Sequence, residues 1–95
     1  MKERFLVITT TSKKIVYLPV SRLLRIEATP ARGPGTVPTV DVYFEGFQAI
    51  LQISEERDAE TEARSIYNKL LDFNDQDLVY LTPGDNITNI AVESI

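Results

Sequence analysis

Residues 40–73 read VDVYFEGFQAILQISEERDAETEARSIYNKLLDF, and the hydrophobic period changes within them. Val40, Val42 and Phe44 alternate with Asp41 and Tyr43, the two-residue repeat of a strand that buries one face. Glu45-Gly46-Phe47 predicts a tight turn into a second strand over Gln48 to Ile53. From Ala59 the apolar residues fall instead at Ala59, Ala63, Ile66 and Leu70, with Tyr67 and Leu71 widening the stripe. That spacing is helical. One amphipathic helix following a hairpin predicts an α+β domain.

Local chemistry supports the helix. Ser54 or Asp58 is suited to cap it, and Glu55, Glu56, Asp58, Glu60 and Glu62 lie near its N-terminal end, where the backbone dipole favours negative charge. Glu60 and Arg64 are spaced for an i,i+4 ion pair, and Phe73-Asn74 is expected to end the helix.

Strand signals fill the rest of the chain. Phe5 to Ile8 with the threonines Thr9 to Thr11 reads as a well-buried strand, and Ser12-Lys13-Lys14 as a polar turn. Ile15 to Leu18 completes a hairpin that Pro19 stops, because proline gives no donor to a ladder. Arg22 to Ala28 is a third strand, with Leu24, Ile26 and Ala28 assigned to one face and Arg25 and Glu27 to the other. Leu78 to Thr82 and Ile87 to Val92 are two more strands around a Pro83-Gly84-Asp85-Asn86 turn. The expected architecture is a small, mostly antiparallel sheet of five to seven short strands packed with the helix, in a single domain over residues 1–95. Residues 29–38 hold Pro30, Pro34, Pro38, Gly33 and Gly35, and read as a flexible loop longer than the roughly 4–6 residues usual in compact domains.

Charge is unevenly distributed. Residues 1–38 carry seven basic and two acidic side chains, and residues 39–95 three basic and twelve acidic, for a net of −4. Such a split predicts either a basic surface for a polyanion or two halves that neutralise each other on folding, and the second is the expected outcome. Lys13, Lys14, Arg22, Arg25 and Arg32 are the candidate contacts for a polyanion or a partner.

Catalytic signals are sparse. The chain has no histidine and no cysteine, which removes the commonest general bases, thiol nucleophiles and soft metal ligands. The acids around the helix start are explained by the dipole without a metal. Asp72 to Asp77 resembles the start of a calcium loop, but Asp77 stands where a glycine is required and Pro83 where a glutamate is required. Gly33-Pro34-Gly35 has neither phosphate-loop spacing. No enzyme activity, cofactor or metal is therefore expected. No apolar run reaches the roughly 18 residues that span a bilayer, and Phe5 to Ile8 is too short for a signal-peptide core, so a cytoplasmic protein without a membrane partner is expected. The tyrosines Tyr17, Tyr43, Tyr67 and Tyr80 lie in apolar segments, which assigns them to core or half-buried positions.

The order of elements resembles LytTR-type DNA-binding domains. Ile15 to Leu18 followed by Leu24-Arg25-Ile26-Glu27-Ala28 is similar to that family's paired strands, and Asn86 to Ile90 to its terminal Asn…Ile segment. The resemblance implies a nucleic-acid-binding domain that would use the basic N-terminal half. The chain departs from the pattern where the family places basic residues before that asparagine: here the sequence is Leu81-Thr82-Pro83-Gly84-Asp85, and no basic residue follows Lys69. The acidic pI of about 4.7 also opposes approach to a polyanion. The reading that the residues favour is a non-catalytic protein-interaction or structural module. Its partner is another protein chain, a second copy included, taken up at a sheet edge, with the LytTR-like nucleic-acid binder as the alternative.

Overall fold

A computed structural model describes residues 3–54, 57–71, 77–84 and 86–95, with the backbone alone at Leu71. The expected roles of Glu55 and Glu56, of Asp72 to Gln76 and of Asp85 lie outside these residues. Seven strands and one helix follow in order: β1 Phe5–Thr9, β2 Ile15–Pro19, β3 Leu23–Thr29, β4 Thr39–Phe44, β5 Phe47–Ile53, α1 Ala59–Leu71, β6 Leu78–Leu81 and β7 Ile87–Ser94. The fold is α+β and its pairing mostly antiparallel. The strands form two sheets. A three-stranded sheet has the order β2-β1-β6, with β6 parallel to β1, and a four-stranded antiparallel sheet has the order β3-β4-β5-β7.

The two sheets and the helix share one core. Val40, Val42 and Phe44 of β4 and Ala49, Leu51 and Ile53 of β5 supply the inner face of the large sheet. Against it pack Leu6 and Ile8 of β1, Leu18, Val79 and Leu81, together with Ala59, Ile66 and Leu70 of the helix. Of the helical stripe read from the sequence, Ala59, Ile66 and Leu70 are buried and Ala63 is half-buried, while Tyr67 is 49% exposed at its margin.

Asp58, not Ser54, stands immediately before the helix, and its carboxylate accepts from the Thr61 hydroxyl at 3.0 Å. Glu60 and Arg64 pair at 3.0 Å as their spacing predicts. At the other end, Arg4 donates to the Leu70 carbonyl at 2.6 Å and the Lys69 carbonyl at 3.4 Å. A guanidinium at the negative end of the helix dipole satisfies carbonyls that the helix cannot satisfy itself.

Strand β3 departs from simple alternation. Leu23 pairs with Phe44 and Arg25 with Tyr43, so Leu24 is an extra residue in a β-bulge. Ile26 and Ala28 keep the face expected of them, but Leu24 turns outward and is 60% exposed. The bulge is invisible to a count of alternating residues because it depends on what β4 places opposite.

Residues 30–38 contain a turn organised by Thr36, whose hydroxyl accepts from the Arg32 and Gly33 amides and donates to the Gly33 carbonyl at 2.7 Å. Gly35 there has φ +82°, the left-handed region that glycine enters without strain.

Two substitutions separate core from bulge. Phe44→Ala is expected to cost about 3–5 kcal/mol by urea titration, because it removes a fully buried ring. Leu24→Ala is expected to stay within about 0.5 kcal/mol of the parent. A cost for Leu24→Ala comparable to that of Phe44→Ala would contradict the bulge.

Candidate functional site

The two sheets differ in what their outer faces carry. On the large sheet, Arg25, Tyr43, Gln48 and Glu93 lie in one cross-strand row, and Glu27, Asp41, Ile50 and Ala91 in the next. This face is largely polar and internally bonded. Arg25 donates to Glu27 at 2.6 Å and lies 4.0 Å over the Tyr43 ring, and Gln48 donates to the Tyr43 hydroxyl at 3.2 Å. Asp41 faces Glu27 across the strand pair. Burial first, and then the Glu27 charge, hold the Asp41 carboxyl above the ordinary range, while a Gln48 hydrogen bond pulls it down.

The outer face of the small sheet is apolar. Pairing places Ile15 beside Thr9, Val7 between Tyr17 and Tyr80, and Phe5 between Pro19 and Leu78. Ile15, Tyr17 and Tyr80 are 62%, 57% and 61% exposed, while Val7, between the two tyrosines, is buried. Phe5 meets Tyr17 edge-on, with 6.4 Å between ring centroids. Tyr17, Tyr67 and Tyr80 are therefore exposed and only Tyr43 is half-buried, which corrects the assignment of all four to core or half-buried positions. The reason is the layering: Tyr17 and Tyr80 stand on the side of the small sheet turned away from the shared core.

The edges of the sheets differ as well. Backbone bonds run from Thr10 N–H to the Lys14 carbonyl and from Val20 N–H to the Arg4 carbonyl, both at 2.8 Å. Antiparallel ladders alternate, so even-numbered residues of β2 bond to β1, and Ile15, Tyr17 and Pro19 direct their backbone groups to the open edge. On β7 the corresponding outward residue Ile90 is occupied. Thr11 N–H donates to the Ile90 carbonyl at 3.0 Å, and Ile90 N–H donates to the Thr11 hydroxyl at 2.8 Å. This reciprocal pair fastens the β1–β2 turn to the large sheet. Beside it a recess of about 590 Å³ runs between that turn and β7, with Val16, Phe47 and Val92 in its lining. A second, of about 320 Å³, continues past Val16 and Phe47 toward Arg22 and Glu45.

The five basic candidates do not form one patch. Lys13 and Lys14 lie in the turn before β2, and Arg22 just beyond its other end. Arg22 pairs with Glu45 at 3.6 Å and Arg25 with Glu27 at 2.6 Å, whereas Arg32 lies in the loop between β3 and β4. Among the described residues, no ion pair holds Lys13, Lys14 or Arg32, and no group of three acidic, histidine or cysteine side chains is placed to hold a metal ion. No helix of the described residues is long and apolar enough to cross a membrane.

Sequence reasoning missed Ile15, Tyr17 and Tyr80 because uniformly apolar strands read as buried on both sides. The available signal was Lys13-Lys14 before β2 and Pro19 at its end, residues typical of an edge strand. No family model, no curated protein and no solved structure matches the chain. The resemblance to LytTR-type domains therefore rests on the residues quoted for it.

The carboxylate row predicts a pH effect. A folded-state pKa raised above the unfolded one means that the native state binds the Asp41 proton more tightly. Stability is then lost as pH rises from the ordinary carboxylate range through the raised value. Asp41→Asn, which removes the titration, is expected to gain stability over the parent as pH rises through that window. Urea titrations of both proteins across acidic to neutral pH test this. A difference between them that does not change with pH would contradict the assignment.

Proposed function

We propose that the chain is a non-catalytic protein-interaction module that receives a partner against the outer face of its small sheet and along the β2 edge. The observation that carries the reading is the exposure of Ile15, Tyr17 and Tyr80 on one face of one sheet. Apolar area withdrawn from water returns about 25 cal/mol per Å², and aromatic side chains contribute much of the energy of protein interfaces. The open backbone groups of β2 add a directional element, since an extended segment can join a sheet edge through main-chain hydrogen bonds. A polar large-sheet face and an apolar small-sheet face give the module a defined binding side.

The nucleic-acid alternative draws on Lys13, Lys14 and Arg32, the candidate bases without an ion pair. Against it stand the net charge of −4 and the engagement of Arg22 and Arg25 with carboxylates.

Quantitative affinity capture with the tagged chain, compared with a Tyr17→Asp/Tyr80→Asp variant of unchanged circular dichroism, tests the reading. A protein held by the parent and lost by the variant is expected, a second copy of the chain counting as such a protein. Equal retention by both would remove it. Binding of duplex DNA or RNA that weakens steeply with salt, and is lost in Lys13→Glu/Lys14→Glu, would favour the alternative.

A further inference from the structure

We propose that the β1–β2 turn is an intramolecular cap on the edge of β7, which keeps that strand from pairing with the β7 of another copy of the chain. The inference goes beyond the interaction reading and does not depend on it, since neither Tyr17 nor Tyr80 takes part.

Each of the four edge strands meets the hazard of an open edge in its own way. Strand β3 is interrupted by the bulge at Leu24, β6 is only four residues long, and the five residues of β2 run from Lys13-Lys14 to Pro19. Strand β7 lacks these protections where it is regular. From Asn89 to Ser94 it pairs with β5 without a shift, the longest uninterrupted run on any edge strand, and it holds no lysine or proline there. Ile95 N–H donates to the Gly46 carbonyl at 3.0 Å. That bond assigns the odd-numbered residues of this run to the β5 ladder and turns the backbone groups of Ile90, Val92 and Ser94 outward.

The turn takes the place of a neighbouring strand at the first of these residues. Thr11 N–H donates to the Ile90 carbonyl, and the Thr11 hydroxyl accepts from the Ile90 N–H. These satisfy the same two groups that an opposed residue of an antiparallel strand would satisfy. The turn holds Thr11 in place by its own bonds. Thr10 N–H donates to the Lys14 carbonyl, Lys13 N–H to the Thr10 carbonyl and Lys14 N–H to the Thr10 hydroxyl. Thr11 is itself exposed, so the cap is maintained by hydrogen bonds rather than by burial. Closing one residue is enough because a strand paired with its own copy repeats every defect. In the antiparallel register that would use all three outward residues, Val92 faces the partner's Val92 and Ile90 faces the partner's Ser94. A cap at Ile90 on each copy removes both outer pairs and leaves the central one alone.

Amide exchange on the full chain tests the cap directly. Of the three outward amides of β7, that of Ile90 is expected to exchange at least about tenfold more slowly than those of Val92 and Ser94. Thr11→Val keeps the size of the side chain and removes the acceptor. It is expected to speed Ile90 exchange about tenfold, whereas Thr11→Ser stays near the parent. In sedimentation from micromolar to submillimolar concentration, Thr11→Val is expected to associate at least about fivefold more tightly than the parent. The edges of β2, β3 and β6 are the same in both proteins, so the difference reports β7. Ser94→Pro removes an outward donor and no bond to β5. Added to Thr11→Val, it is expected to return association to the level of the parent.

Equal exchange at Ile90, Val92 and Ser94 in the parent overturns the proposal, and that comparison needs no variant. So does a folded Thr11→Val protein that associates no more than the parent, or one whose association survives Ser94→Pro. Affinity capture with Tyr17→Asp/Tyr80→Asp bears on the interaction reading alone, so either can fail without the other.

Discussion

The whole arrangement depends on a single apolar layer shared by three unequal pieces of secondary structure. A chain of this size buries roughly 60–70% of its unfolded surface, enough for one core and no more. Phe44, Val42 and Val40 on one side and Leu6, Ile8 and Leu18 on the other fill it, and the helix closes its flank with Ile66 and Leu70. Every strand that contributes to this layer has a second face turned away from it. The two sheets treat that second face differently, and the difference carries the functional reading.

On the large sheet the outer face is bonded to itself. Arg25 is held by both Glu27 and Tyr43, so its charge is spent within the sheet. On the small sheet the outer face presents Ile15, Tyr17 and Tyr80, side chains for which water is a poor environment. An edge strand that is apolar on its outer side and flanked by lysines and a proline combines attraction with a limit on how far pairing extends.

Contacts between the basic first part of the chain and the acidic second part are local in the fold. Arg4 stands at the helix C-terminus and Arg22 reaches Glu45, while Arg25 finds its partner two residues along its own strand. The acids of the helix serve locally, Asp58 before its first turn and Glu60 with Arg64. Lys13, Lys14 and Arg32 remain outside these pairs, two of them at the end of the open β2 edge.

Much of the fold was legible before any coordinates. The period of two in Val40, Val42 and Phe44 and the helical spacing of Ala59, Ala63, Ile66 and Leu70 determined the α+β class and the core side of those elements. Glu45-Gly46 and Pro19 determined where strands turn or stop. These are local properties, set by backbone sterics and by the periodicity of side chains along one segment. Tertiary structure alone decided that seven strands divide into two sheets, that Leu24 is squeezed out as a bulge opposite Tyr43 and Phe44, and that Thr11 seals the edge of β7 at Ile90. It also decided that Tyr17 and Tyr80 face outward. An apolar side chain carries no mark of which neighbour will cover it: burial belongs to the packing of layers brought together from distant parts of the chain, and among the described residues Ile15, Tyr17 and Tyr80 stay exposed.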